Sequence, residues 1–254
     1  MLFAKAKWTE IKEAAEEGAV AVIPIGSTEQ HGPHLPVDVD INIPFQLARR
    51  VTEETGDLTL PPVSYGYNEK ELDFPGTLSV KSETFIHYLY DICESLIKTV
   101  FDKILLLNGH GQNTPYVLVV SNMINEKETA TCAACGIYVS LITDTIEELR
   151  ESEEIGGMAH AGEFETSLEL YLDPEHVEMD KAAKEIGFEK TAYTWLDLLE
   201  SPPVYLRQNW KQYTSSGVVG DPTKGTKEKG EQFFSSLVDR LSEFLNLYRE
   251  GRIS

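Results

Sequence analysis

The chain has 254 residues, 41% hydrophobic and 25% charged, which is ample for a sizeable core and free of the bias that marks disorder. Its 42 acidic residues outnumber 22 basic ones, so a polyanion would meet a repulsive field and nucleic acid is not an expected partner. No apolar run approaches the roughly 18 residues of a membrane span, the opening MLFAKAKWTE lacks a signal-peptide core, and three cysteines suit no disulfide framework. The expectation is one domain over residues 1–254, cytoplasmic, with no membrane partner.

Trp8 to Glu17 carries a short helical spacing, and Ala19-Val-Ala-Val-Ile-Pro-Ile25 is a continuous apolar run stopped by Gly26, the pattern of a strand buried on both faces. After a long polar loop, Phe45, Leu47, Ala48 and Val51 predict a helix from about Ile43 to Thr55, and Leu58 to Val63 reads as a second strand. The loop Ser64 to Ser79 precedes a helix from about Glu83 to Val100. Lys103-Ile-Leu-Leu-Leu107 is a third buried strand, ended by Asn108-Gly-His-Gly-Gln-Asn113 and followed by a helix near Tyr116 to Asn125. Gly136 to Thr143 is expected as a further buried strand. Just before it, Cys132-Ala-Ala-Cys135 has the spacing of a redox or zinc half-site, but a redox pair ordinarily opens a helix, and buried small residues are the better reading. Residues 201–222 read as an ordered surface excursion, and an amphipathic helix closes the chain from Thr226 to Glu250. The alternation of strand, glycine-containing loop and helix predicts an α/β protein, a mostly parallel central sheet covered by helices on both faces, with right-handed crossovers.

In such sheets ligands bind beyond the carboxyl ends of the strands, and the polar residues concentrate there. The first loop, Gly26-Ser-Thr-Glu29-Gln-His31-Gly-Pro-His34-Leu-Pro-Val-Asp38-Val-Asp40, packs two histidines and three carboxylates into twelve residues. Glu29 and His31, two apart in an extended segment, point to one side, and a loop that turns back can bring Asp38 or Asp40 to meet them. Carboxylate with imidazole suits zinc or manganese, and one aspartate with two oxygens can bridge a pair of ions. The alternative is that Glu29 and Asp40 cap the next helix while the histidines bond to backbone, Asp40 being well placed as an N-cap. Two further loops favour the metal reading: Asn108-Gly-His110-Gly and Gly157-Met-Ala-His160-Ala-Gly-Glu163-Phe-Glu165-Thr-Ser repeat the combination of histidine and glycine, the second with carboxylates. Glu163 and Glu165 cannot share a helical face, so an inward Glu165 sends Glu163 elsewhere. His87 and His176 have no such company and read as surface or packing residues.

Taken in order, Gly26-Ser-Thr-Glu-Gln-His-Gly-Pro-His-Leu-Pro36, Phe74-Pro-Gly-Thr-Leu-Ser79, Asn108-Gly-His-Gly111, His160-Ala-Gly-Glu-Phe-Glu-Thr-Ser167 and Gly217-Val-Val-Gly-Asp-Pro222 resemble the creatininase (creatinine amidohydrolase) family. The resemblance runs from Ile23 to about Gly230. It implies a three-layer α/β/α fold, commonly a hexameric homo-oligomer, and a two-metal site that hydrolyses C–N bonds, often in cyclic amides. Carried over motif by motif, it implies Glu29, His31, Asp40, His110 and Glu165 as ligands of two divalent ions, Zn2+ or Mn2+ with Fe2+ a further candidate, and Asp40 bridging them. His160 is then the proton shuttle: a hydroxide held between the ions attacks a polarised carbonyl, and His160 protonates the leaving nitrogen.

Departures from the family pattern bear on the substrate. Creatinine-cleaving members carry a glutamate two residues past the Asn-Gly-His histidine, where this chain has Gln112, and tryptophans shortly before His-Ala-Gly, whereas the tryptophans here are Trp8, Trp195 and Trp210. Creatinine is therefore not the expected small-molecule substrate. Gln112 is a candidate substrate contact, and so is Lys70, for an anionic or polyhydroxylated compound, with a solvated loop lysine as the alternative. Relatives in the family include a formamide hydrolase of flavin and deazaflavin synthesis, a peptidase trimming a redox-cofactor precursor, and a hydrolase opening cyclic keto-inositols. The expected function is a dinuclear metal-dependent amidohydrolase of a small cyclic amide. The alternatives are opening of a cyclic keto-inositol or other cyclic ketone, a formamide hydrolase or peptidase of cofactor biosynthesis, and a catalytically silent, metal-stabilised oligomer.

Overall fold

The apolar run after Gly18 forms β1 (Ala21–Ile25), buried at every position, in a computed structural model that describes residues 1–127, 129–206 and 208–253. Three further strands, β2 (Leu58–Thr59), β3 (Lys103–Asn108) and β4 (Thr131–Cys135), complete a parallel sheet in the order β2-β1-β3-β4. The helices are α1 (Trp8–Glu16), α2 (Val39–Thr55), α3 (Ser82–Thr99), α4 (Thr114–Asn125), α5 (Thr143–Leu149), α6 (Glu163–Leu172) and α7 (Lys227–Arg249). Strand side chains alternate between faces. Val20, Val22, Leu105 and Leu107 enter a core shared with α2, α6 and α7, while Ala21, Ile23, Ile25, Ile104 and Leu106 enter one shared with α3 and α4. This is the three-layer α/β/α architecture that the alternation of elements predicts.

Three expectations need correction. The second strand stops at Thr59 because Pro61 and Pro62 have no N–H for the ladder, and pairing returns only as a bridge between Ile25 and Val63. Gly136 to Thr143 is not a strand. The fourth strand precedes it, in register from Lys103 with Thr131 to Leu107 with Cys135, and Tyr138–Ile142 forms a short 3-10 helix leading into α5. The buried residues Tyr138, Val139, Ile142 and Ile146 follow a helical spacing, which a short, mostly apolar run does not reveal. Lastly, Asp40 is not the N-cap of α2. Asp38 takes that position without a side-chain cap bond, and Asp40 lies in the first turn.

The cysteine pair resolves on strand geometry. Cys132 packs in the core beneath α3 and α4, and Cys135 packs against the opposite core, so residues three apart on β4 face different layers and form no shared thiol site. All three cysteines are free. The excursion over 201–222 is anchored by Trp210, which is buried and donates its indole N–H to the Gly217 carbonyl at 3.0 Å; Arg207 lies outside the described residues. The last helix starts one residue after Thr226, whose hydroxyl accepts the Lys229 N–H. Among the described residues no helix is long and apolar enough to cross a membrane.

One local arrangement brings fold and site together. Pro44 in α2 has no N–H to offer the carbonyl of Asp40, and that carbonyl is approached by Gly26 after β1 and Gly109 after β3. A Cβ at Gly26 or Gly109 would lie 2.3 or 2.5 Å from the Asp40 carbonyl oxygen. Only glycine permits this approach, which clamps the start of α2 across the ends of two central strands.

Candidate metal centre

Glu29, His31, Asp40, His110, His160 and Glu165 converge at the carboxyl ends of β1 and β3, each at most 7% exposed. Their ligand atoms fall into two groups, each within 4.8 Å: Glu29 with Asp40 and His110, and His31 with His160 and Glu165. Asp40 stands between the two groups. Its Oδ2 lies 2.9 Å from His110 Nδ1 and its Oδ1 3.4 Å from His31 Nε2, while Glu29 Oε2 lies 2.7 Å from His110 Nδ1. Glu165, in the first turn of α6, accepts the Ala161 N–H at 2.6 Å and faces His31 Nε2 at 4.0 Å. Ala161 holds a left-handed φ of 49°, a strained conformation for a side-chain-bearing residue, immediately beside His160.

The three imidazoles share one orientation. His31 Nδ1 lies 3.1 Å from the Glu29 carbonyl, His110 Nε2 3.1 Å from the Tyr67 carbonyl, and His160 Nε2 2.9 Å from the Gln30 carbonyl. A carbonyl can only accept, so the His31 and His110 nitrogens carry the hydrogen, a tautomer assigned from the hydrogen-bond network, whereas His160 Nε2 also meets the Gln30 side-chain amide, a donor, at 3.0 Å. The other nitrogen of each ring faces carboxylates, His160 Nδ1 lying 3.7 Å from Glu29 Oε1. A main-chain carbonyl fixing the outer nitrogen of an imidazole is the usual support for a metal ligand. The expected alternative, histidines bonded to backbone, is thus half of the arrangement rather than its rival.

Electrostatics are strongly perturbed. Burial pushes the Glu29 carboxyl up to about 8 and that of Glu165 up to about 7. Asp40 is buried too, yet the adjacent His31 and His110 hold it well below the usual carboxylate range. For His31, burial opposes the charge, but Asp40, Glu165 and Glu29 outweigh it and push the imidazole up to about 10. Burial and the neighbouring His31 charge push His160 well below its ordinary value. Both oxygens of Glu29, His31 Nε2 and Asp40 Oδ2 are buried without an aligned hydrogen-bond partner. Orphaned atoms of this kind in a nitrogen and oxygen donor set fit zinc or manganese.

Beside this centre opens a cavity of about 390 Å³ lined by Gly111 and Ala159, next to His110 and His160, and by Trp195, Tyr205, Leu206 and Trp210 of the excursion. The Trp210 ring meets the His160 ring edge-on at 5.2 Å.

The family model for creatininase, described as creatinine amidohydrolase, matches residues 4–245. The chain belongs to the creatininase family. It is 32% identical to the mycofactocin precursor peptide peptidase of Mycobacterium ulcerans, over 86% of this chain and 81% of the relative. It is 29% identical to the 3-dehydro-scyllo-inosose hydrolase of Thermotoga maritima, over 93% of this chain and 79% of the relative. Its fold matches the solved structure described as creatininase Mn with a TM-score of 0.81 at 25% identity, over 96% of both chains. A metal-dependent amidohydrolase fits both the family and the donor set.

Not every residue of interest in this creatininase-family chain lies where sequence placed it. Glu163 turns away from the centre as expected, to Lys229 at 2.6 Å and to the N–H groups of Glu151 and Ser152. His34 is buried beside Thr166 Oγ1 at 3.0 Å, His87 and His176 are exposed, and so is Asp38. Lys70 is also exposed, its carbonyl accepting the Trp210 N–H. Its neighbour Glu71, which sequence reasoning passed over, is 1% exposed and joins Glu29 and His160 within 4.8 Å. Gln112 is buried, and its amide donates to Glu71 Oε1 at 2.5 Å. Neither Glu71 nor the aromatic excursion carries a periodic signal. The only cue was an acid in a short charged run ahead of Phe74-Pro-Gly.

Proposed function

We propose that the chain is a dinuclear metal-dependent amidohydrolase that cleaves the C–N bond of a small cyclic amide. The observation that carries this reading is the division of the Asp40 carboxylate between His110 on one side and His31 on the other, with a further carboxylate in each group. Glu29, Asp40 and His110 would hold one ion, His31, Asp40 and Glu165 the other. When bound, such ions supply Lewis acidity to a substrate carbonyl and lower the pKa of water.

The remaining chemistry belongs to this chain's own side chains. Burial and the His31 charge keep His160 neutral, with Nε2 held between the carbonyl and the side-chain amide of Gln30 and Nδ1 turned to the centre. Nδ1 takes a proton from the attacking water and returns it to the leaving nitrogen, so one group serves as base and then as acid. Trp210 against the His160 ring limits its rotation, and the aromatic cavity keeps bulk water from the reacting carbonyl. Gln112, held on Glu71 and next in sequence to the cavity-lining Gly111, and the exposed Lys70 are the candidate substrate contacts.

The inosose hydrolase relative supports a second reading, hydrolytic opening of a cyclic ketone at the same centre. The test is elemental analysis of metal per chain, with Asp40→Asn alongside, followed by screening of cyclic amides and keto-inositols. About two equivalents, falling sharply in the variant, together with amine release, are expected. Acid formation without amine selects the second reading, and a chain that takes up no zinc or manganese overturns both.

A further inference from the structure

We propose that Glu71 is an additional metal-binding carboxylate, delivered by the loop between β2 and α3 to the Glu29, Asp40 and His110 side of the centre, and that Gln112 is its positioning residue. This inference rests on the metal reading above and adds a donor that none of the motifs contains.

Three observations carry it. Glu71 is the one acidic residue of the run Glu69-Lys-Glu-Leu-Asp73 that is buried, and its carboxylate comes within 4.8 Å of ligand atoms of Glu29 and His160. The Glu71 charge also reaches His110. Buried like charges this close repel unless protons or a cation compensate them. The groups it meets are orphaned: both Glu29 oxygens are buried with no aligned hydrogen-bond partner.

Glu71 is also held in place by more contacts than a surface loop ordinarily makes. Its own N–H is donated to the Asn68 carbonyl at 3.0 Å, and the Asn68 amide donates to the Leu78 carbonyl at 3.1 Å and to Ser27 Oγ. Tyr67 N–H reaches Asn113 Oδ1 at 3.0 Å, in the same segment whose Tyr67 carbonyl fixes His110. On the far side, the excursion clips the loop through Trp210 N–H to the Lys70 carbonyl at 2.8 Å and Asn209 to Asp73 at 2.7 Å. Gln112 then fixes one carboxylate oxygen, Oε1, from the turn that follows His110. One loop thus supports an imidazole with its backbone at Tyr67 and supplies a carboxylate four residues later at Glu71. The geometry suits a metal ligand oriented by an amide.

The experiment uses the full chain stripped of metal and titrated with Co2+, following heat and visible absorption. Wild type is expected to take two equivalents. Glu71→Gln keeps an acceptor for Gln112 but loses the charge, so one of the two Co2+ sites should weaken about 10-fold or more while the other is unchanged, with an altered absorption band. Gln112→Ala should weaken the same site less. Metal-free Glu71→Gln should melt no lower than wild type, since a buried carboxylate has been removed, whereas a structural Glu71 would lower the melting point and leave affinity intact. Two equivalents bound by Glu71→Gln at wild-type affinity and with the wild-type band overturn the proposal. Where Glu71→Gln does not fold, Glu71→Asp takes its place, and unchanged affinity and absorption there overturn it equally. A wild-type chain that binds no Co2+ overturns the metal reading itself, so the two failures are distinct.

Discussion

Lys229 Nζ lies 2.6 Å from Oε1 of Glu163, a carboxylate with no solvent exposure. Lys229 comes from the first turns of α7 and Glu163 opens α6, so this pair fixes the helix whose next inward carboxylate, Glu165, faces His31. Glu163 also accepts the N–H groups of Glu151 and Ser152, and Lys229 donates to the Lys224 carbonyl.

Lys229→Ala leaves a buried charge with only backbone donors. The expected cost is about 3–5 kcal/mol, the range for breaking one partner of a buried pair. For a chain of this size that corresponds to a fall on the order of 10 °C in Tm. Calorimetric melting checks it, and a shift below about 2 °C would mean that the backbone donors suffice. Lys229→Met, which fills the same volume, is expected to lose about as much, because the loss is electrostatic.

Glu169 tests the opposite situation, a buried carboxyl with no cation. Burial pushes it up to about 8, opposed by the Asn42 amide at 3.1 and 3.2 Å and, more weakly, by the His31 charge. A carboxyl whose folded pKa exceeds its unfolded value binds more protons folded than unfolded, so its contribution is fully present below about 4.5 and is lost as pH rises through about 8. Glu169→Gln, with no proton to lose, should flatten stability over that window and melt higher than wild type at pH 9. The gain is at most on the order of 5 kcal/mol, by the conversion of about 1.4 kcal/mol per pKa unit. Chemical denaturation at pH 5 and pH 9 checks this; an equal deficit of the variant at both would mean that Glu169 acts only through shape.

Much of the centre was legible in sequence because its residues sit in loops that directly follow buried strands, where a parallel sheet leaves ligands to bind. Glu29, His31, Asp40, His110, His160 and Glu165 meet as their spacing and the family motifs imply. Asp40 looked like a helix cap because an aspartate before an apolar repeat ordinarily is one. Its inward turn depends on Pro44 and on the two glycines that admit its carbonyl, a three-way contact that no local pattern announces. Tyr138 to Ile142 read as a strand because a short apolar run fits either period. Glu71 and Trp210 are set by clamps between segments about 140 residues apart, and nothing in either segment alone reveals them.

Metal should stabilise the fold, since the orphaned donors repel one another without it. A ligand at 100 times its dissociation constant adds about 2.7 kcal/mol. Zinc or manganese added to stripped protein should therefore raise Tm by several degrees, and Asp40→Asn should abolish most of the rise. Thermal melting with and without metal is sufficient. An equal rise in the variant would remove Asp40 from the ligand set.

His160 separates metal binding from proton transfer. His160→Asn keeps a polar group beside Gln30 and Trp210 but has no nitrogen that can alternately take and give a proton at Nδ1. Because Glu29, Asp40 and His110, and on the other side His31 and Glu165, are untouched, metal content should stay near the wild-type value. Turnover should fall by about 10²–10⁴, the usual contribution of a positioned general acid and base, with the loss in kcat rather than in KM. Elemental analysis and amine release, measured on a cyclic amide that wild type hydrolyses, give both readings on one preparation. Loss of one metal equivalent would reassign His160 as a ligand, in keeping with its place within 4.8 Å of His31 and Glu165. Retained metal with undiminished turnover would take the proton-transfer role away from it.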